Sequence, residues 1–128
     1  MSISLNHTII FARDRHASAA FLANLFGLPE PTPWGPFAIV PIDHGTLVQF
    51  AEPDVAEIQM QHYAFLVDDE RFDAIYQRLR DGGIDHWADP RLTRPGEFNT
   101  KHGGRGVYFL DPVGHGMEVI TRPYDAEE

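Results

Sequence analysis

His7 and His62 each open an alternating stretch of residues, while Gln49 and Glu118 each interrupt an apolar one. Around Gln49 the run is Leu47-Val48-Gln49-Phe50, and around Glu118 it is Met117-Glu118-Val119-Ile120. A polar side chain inside an apolar strand costs free energy unless it finds a partner. Such residues at recurring places point two ways, to hydrogen bonds with one another or to a shared ion. Two imidazoles, one carboxylate and one amide carbonyl form a hard-to-borderline donor set. That set suits an octahedral divalent ion with positions left open for water or substrate. The chain has no cysteine, which excludes thiolate zinc, disulfides and cysteine nucleophiles. Of the remaining histidines, His44 and His115 read as turn residues, and His16 and His86 as exposed or local.

The elements that must carry these residues follow one pattern written twice. Leu5, His7, Ile9 and Phe11 alternate onto one strand face within residues 4–12. Asp14 offers an N-cap for a helix through about Phe26, and Gly27 a stop. Its Ala17, Phe21, Leu25 and Leu28 fall at helical spacing. Two short runs, 37–42 and 46–50, then flank the turn Asp43-His44-Gly45. The second copy begins at Met60, with His62, Ala64 and Leu66 on one strand face. Asp68 or Asp69 caps a helix whose Phe72, Ile75, Tyr76 and Leu79 fall at i, i+3, i+4, i+7, and Gly82-Gly83 ends it. Runs 105–110 and 116–121 close the copy around Asp111-Pro-Val-Gly-His115. His7 to Gly27 is 20 residues and His62 to Gly83 is 21, so the copies keep step through the helix. His7 to Gln49 is 42 and His62 to Glu118 is 56. The extra chain fits the loop rich in Pro and Gly before Arg105. Each copy is thus β-α-β-β, with room for a further strand between helix and hairpin. A doubly wound parallel sheet is disfavoured, because hairpins rather than single strands follow each helix.

With 128 residues the chain suits one domain, residues 1–128, with modules at about 3–55 and 58–122. A formal net charge of −9 with no basic run argues against nucleic-acid or anionic-membrane binding. No apolar run reaches the length of a membrane span. The first residues carry no signal-peptide pattern, so a cytoplasmic protein is the expectation.

Three segments carry a family resemblance: Asn6-His7-Thr-Ile-Ile, Gln61-His62-Tyr-Ala-Phe, and Tyr108-Phe-Leu-Asp-Pro-Val-Gly-His-Gly-Met-Glu118-Val. Together they resemble the vicinal oxygen chelate superfamily, the group of glyoxalases, bleomycin-resistance proteins and extradiol dioxygenases. The likeness runs over about residues 4–122 and is most specific in Asp111-Pro112-x-Gly114-His115-x-x-Glu118. It implies an α+β fold of two βαβββ modules whose mixed sheets form a cup around a metal site. It also implies His7, His62 and Glu118 as metal ligands, Gln49 as a fourth, and one divalent ion (Fe, Mn, Ni, Co or Zn). A homodimer and a small-molecule substrate are implied as well.

Tyr108 lies ten residues before Glu118, across the closing hairpin. An even register puts both on one face, where Tyr108 is either an active-site residue, as in the fosfomycin transferases and extradiol dioxygenases, or a packed aromatic. His102-Gly-Gly-Arg-Gly106 lacks the strand-loop-helix context of a phosphate loop. Lys101, His102, Arg105 and Arg94 are candidates for contact with an anionic substrate. Among reactions, Gln49 as fourth ligand leans toward an isomerase or lyase. An extradiol dioxygenase fits two histidines, a carboxylate and Tyr108, but its expected outer histidines have no match. For a fosfomycin-type thiol transferase, Phe98 stands where the resemblance implies a phosphonate-binding lysine. A metal-free binding protein, with Trp34, Trp87, Phe37 and Tyr108 lining the cup, is the alternative from another class.

Overall fold

The computed structural model describes residues 2–124, so the ends of the expected domain lie outside the described residues. The chain divides into two compact units, 1–59 and 60–128.

The first unit runs β1 (His7–Phe11), α1 (Arg15–Phe26), β2 (Thr32–Trp34), β3 (Phe37–Pro41) and β4 (Leu47–Ala51). The second repeats the order: β5 (His62–Leu66), α2 (Asp69–Asp81), β6 (His86–Trp87), β7 (Gly106–Leu110) and β8 (Gly116–Ile120). The sheets are ordered β1-β4-β3-β2 and β5-β8-β7-β6. In each, the first strand lies parallel to the last, and the others form an antiparallel meander. The fold is therefore α+β, two βαβββ units with mixed sheets. The room between helix and hairpin is filled by the short strands β2 and β6.

Each helix starts and stops where the sequence places it. Asp14 accepts from the backbone N–H groups of His16 and Ala17, and Asp68 from that of Arg71. Both satisfy donors that the first helical turn would leave orphaned. Gly27 ends α1 and Gly82 ends α2.

Each sheet has one covered face and one open face, as strand alternation requires. Under α1 lie Ile10, Ala38, Val40, Val48 and Phe50, all buried. Under α2 lie Val107, Phe109, Met117 and Val119, against the fully buried Phe72, Ile75 and Leu79. The opposite faces carry the candidate site residues together with apolar side chains open to solvent, Ile9 at 43% and Leu66 at 60%.

Two sequence expectations need correction. The buried stripe of α1 is Ser18, Ala19, Leu22, Ala23, Leu25 and Phe26, not one through Ala17 and Phe21. Small residues occupy both sides of this helix, so spacing alone could not choose the face; packing on the sheet favours Ala19 and Ala23, which let the backbones approach. His86 is buried rather than exposed. It sits in β6, its ring edge-on to Tyr76 with centroids 5.1 Å apart, and its Nδ1 donates to the Ile84 carbonyl. No helix among the described residues is long and apolar enough to cross a membrane.

Candidate functional site

The second unit gathers its polar residues by ladder register. His62 lies opposite Gly116, Ala64 opposite Glu118, and Tyr108 opposite Glu118 from the other side. His62, Glu118 and Tyr108 therefore share the open face. His62 Nε2 stands 3.0 Å from Glu118 Oε1. The rings of His62 and Tyr108 are stacked with centroids 6.4 Å apart. The Glu118 side chain is only 3% exposed, whereas that of His62 is 55% exposed.

The turn that delivers Glu118 is built by Asp111. Its Oδ1 accepts from the backbone N–H groups of Val113, Gly114 and His115. His115 is buried, and its Nδ1 accepts from the Gln61 N–H. That bond ties the turn to the residue just before His62, so one short segment positions both site residues.

Tyr124, which the sequence reading passed over, closes the arrangement. Its hydroxyl donates to Glu118 Oε2 and lies 3.2 Å from the Tyr108 hydroxyl. Its ring lies against that of His102, with centroids 4.4 Å apart. Burial first, then the bond to Tyr124 and the nearby Glu118 charge, push the Tyr108 phenol well above its usual range. Burial and the Glu118 bond raise Tyr124 too. Both phenols are thus neutral donors at physiological pH, not bases. Because Tyr124 holds Oε2, Oε1 is the Glu118 oxygen left facing His62.

The first unit repeats this geometry with different chemistry. His7 lies opposite Leu47, Ile9 opposite Gln49, and Ile39 opposite Gln49 from the other side. His7 corresponds to His62, Gln49 to Glu118, and Ile39 to Tyr108. Asn6 Oδ1 accepts from His7 Nδ1 at 2.7 Å. With Nδ1 engaged by Asn6, Nε2 is the ring nitrogen left outside this bond. Gln49 is buried.

A divalent ion fits these donors by type, and the hydrogen-bonded spacing of one pair is compatible with it. Two donors bound side by side on an octahedral ion, with bonds of about 2.1 Å, stand about 3.0 Å apart. His62 Nε2 and Glu118 Oε1 already have that spacing. Among the described residues no three His, Asp or Glu side chains cluster.

The four candidate substrate contacts separate. Arg94 pairs with Glu97. Arg105 pairs with Asp73 and Asp69, lies over the Phe72 ring, and is held firmly protonated, chiefly by Asp73. Lys101 and His102, by contrast, line a cleft of about 160 Å³ together with Tyr108, Glu118, Arg122 and Tyr124. Phe98 packs edge-on against Phe72 and Tyr76.

Residues 4–119 match the family described as the Glyoxalase/Bleomycin resistance protein/Dioxygenase superfamily. The chain belongs to this superfamily. Two solved structures of its fold are similar along the whole chain. Oxidase ChaP-H1 is 52% identical, with a TM-score of 0.92, covering 98% of this chain and 100% of its own. Oxidase ChaP-H2 is 47% identical, with a TM-score of 0.92 and complete coverage of both chains. Glutathione transferase FosA of Serratia marcescens is 31% identical over 91% of this chain and 79% of its own. The superfamily assignment agrees with the expectation drawn from the three sequence segments, and the paired βαβββ units are its fold.

If Tyr124 holds Glu118 in its ligating pose, Tyr124→Phe will weaken Co(II) binding by about 10-fold, within the range seen when a ligand loses its supporting hydrogen bond. Titration followed by visible absorption measures it. An unchanged affinity would show that Tyr124 only packs there.

Proposed function

We propose that this protein is a divalent-metal-dependent enzyme that oxidises a small oxygenated molecule. His7, His62 and Glu118 are its ligands, and Gln49 is an available fourth. The observation that carries the reading is the His62 Nε2–Glu118 Oε1 pair at 3.0 Å, on an open sheet face beside Tyr108. Its repeat-related counterpart, His7 with Nε2 outside its bond to Asn6, supports it. When bound, the ion accepts substrate oxygens and stabilises the negative charge that develops on them. The chain's own residues do the rest. Tyr108 donates to the Tyr124 hydroxyl, which keeps the Tyr124 proton directed at Glu118. Tyr124 keeps Glu118 Oε2 occupied, so that the carboxylate ligates through one oxygen. Asn6 orients His7.

Gln49 leans the sequence reading toward isomerase or lyase chemistry. The full-length likeness to two oxidases at 52% and 47% identity supports oxidation instead. Thiol transfer is a second reading, supported by the 31% identity to a glutathione transferase. The Phe98 position, packed among aromatics, supplies no cation for a phosphonate. A homodimer is also proposed, because both site-bearing sheet faces leave apolar side chains such as Ile9 and Leu66 uncovered.

Protein purified without chelator tests the reading by metal analysis and light scattering. The expected result is about one divalent ion per chain and a mass of two chains. Iron supports the oxidase, and manganese with glutathione consumption the transferase. Failure to take up any candidate ion, even after soaking, would leave the binding-protein reading in its place.

A further inference from the structure

The chain has ten basic residues, and four of them are committed to the partners that follow. Arg13 donates to the carbonyls of Val55 and Ala56. Arg15, Arg94 and Arg105 are paired with carboxylates. Lys101 and Arg122 have no carboxylate among the described residues, yet both line the cleft that Glu118 and Tyr108 line.

Their backbones are held in place. The Lys101 N–H donates to Asn99 Oδ1, and the Asn99 amide donates to the Ala88 carbonyl. Arg122 follows Thr121, whose hydroxyl accepts from the Arg105 N–H. Gly104 lets the two segments meet: a Cβ there would stand 2.5 Å from Arg122 Cγ and from Thr121 Oγ1. A side chain there would force the Arg122 stem and the Thr121 hydroxyl to shift. In a chain of net charge −9, two cations that form no ion pair among the described residues line one small cleft, where they favour an anion.

We propose that Lys101 and Arg122 form an oxyanion subsite, taking a carboxylate or phosphate group of the substrate beside Glu118 and Tyr108. This rests on the reading of that face as the active site. The cleft of about 160 Å³ limits the group. At about 30 Å³ per water it holds roughly five waters' worth of ligand, enough for one oxyanion and a short carbon stem. The bulk of a larger substrate lies outside it. The substrate is then an anion anchored at one end, with its reacting oxygens turned toward His62 and Glu118.

Lys101 is the only lysine in the sequence, which permits a direct test. Reductive methylation with ¹³C-formaldehyde labels its ammonium and keeps the charge. Its NMR signal is then followed during titration with inorganic phosphate and, separately, with acetate, at constant ionic strength. The subsite predicts a saturable shift with one of them, and the tighter of the two identifies the group. Arg122→Gln weakens that binding by about 10-fold or more, the loss expected for a charge-assisted hydrogen bond. Arg91→Gln, which alters a cation outside the cleft, leaves it unchanged. A linear, unsaturable shift, or equal saturation in Arg122→Gln, overturns the proposal. Metal uptake by the native chain, measured beside the titration, separates the two readings. Anion binding retained where metal uptake fails in the native chain sinks the metal reading alone, and normal metal uptake without saturation sinks the subsite alone.

Discussion

His62→Ala will purify as a folded protein that has lost its divalent ion. The His62 side chain is more than half exposed, so its removal costs stability of about 1 kcal/mol or less. Metal affinity falls by on the order of 100-fold or more, beyond the 10–100-fold typical of losing only a supporting partner. Metal analysis of the variant beside the wild type measures the loss, and a thermal melt confirms the fold. Binding as tight as in the wild type would remove His62 from the ligand set. Glu118 would then be no more than a buried carboxylate held by a histidine and a tyrosine.

The largest stability effect is expected at Phe72. Its ring is fully buried on α2, stacks with Tyr76 at 6.2 Å and meets Phe98 edge-on at 5.7 Å. The Arg105 guanidinium covers it at 4.5 Å. Phe72→Ala leaves a cavity and costs about 3–5 kcal/mol, with the aromatic pairs included in that figure. With a urea dependence of about 2 kcal/mol per molar, the unfolding midpoint falls by about 2 M. Phe72→Leu, which fills most of that cavity, avoids most of the loss. A midpoint shift below about 0.5 M for the alanine variant would mean that the cluster is not part of the cooperative core. Arg105, which immediately precedes β7, shares this cluster. The loop carrying Lys101 and His102 is therefore braced by the same packing.

The equivalent placement of His7 with Gln49 and of His62 with Glu118 was legible because alternation and duplication reinforce each other. His7 and His62 open equivalent strands, and the Asp111–His115 turn fixes where Glu118 falls relative to Tyr108. An even offset of ten across a short turn becomes a direct ladder partner. Tyr124 was not legible. It follows the last strand in a segment with no periodicity, and its partners Glu118, Tyr108 and His102 lie on the two hairpin strands and in the loop before them. The buried face of α1 was hidden by alanines, which carry little directional signal. His86 was misjudged because a two-residue strand has no alternation to read. Its burial comes from Tyr76, a contact between a helix and a strand ten residues on. Lys101 and Arg122 needed the structure for a different reason. Sequence lists cations, but only coordinates show which of them already have a carboxylate.

The two sheets place His7, Gln49 and Ile39 at the same ladder positions as His62, Glu118 and Tyr108. One backbone plan thus carries a neutral amide in one half and a carboxylate in the other. With the proposed ligand set, a doubly charged ion, two imidazoles, that amide and one carboxylate would sum to a net charge of plus one. Two carboxylates would cancel it. The difference between glutamine and glutamate at a repeated position would then set how strongly such a centre pulls electrons from whatever oxygen it meets, and duplication allows one half to change without the other.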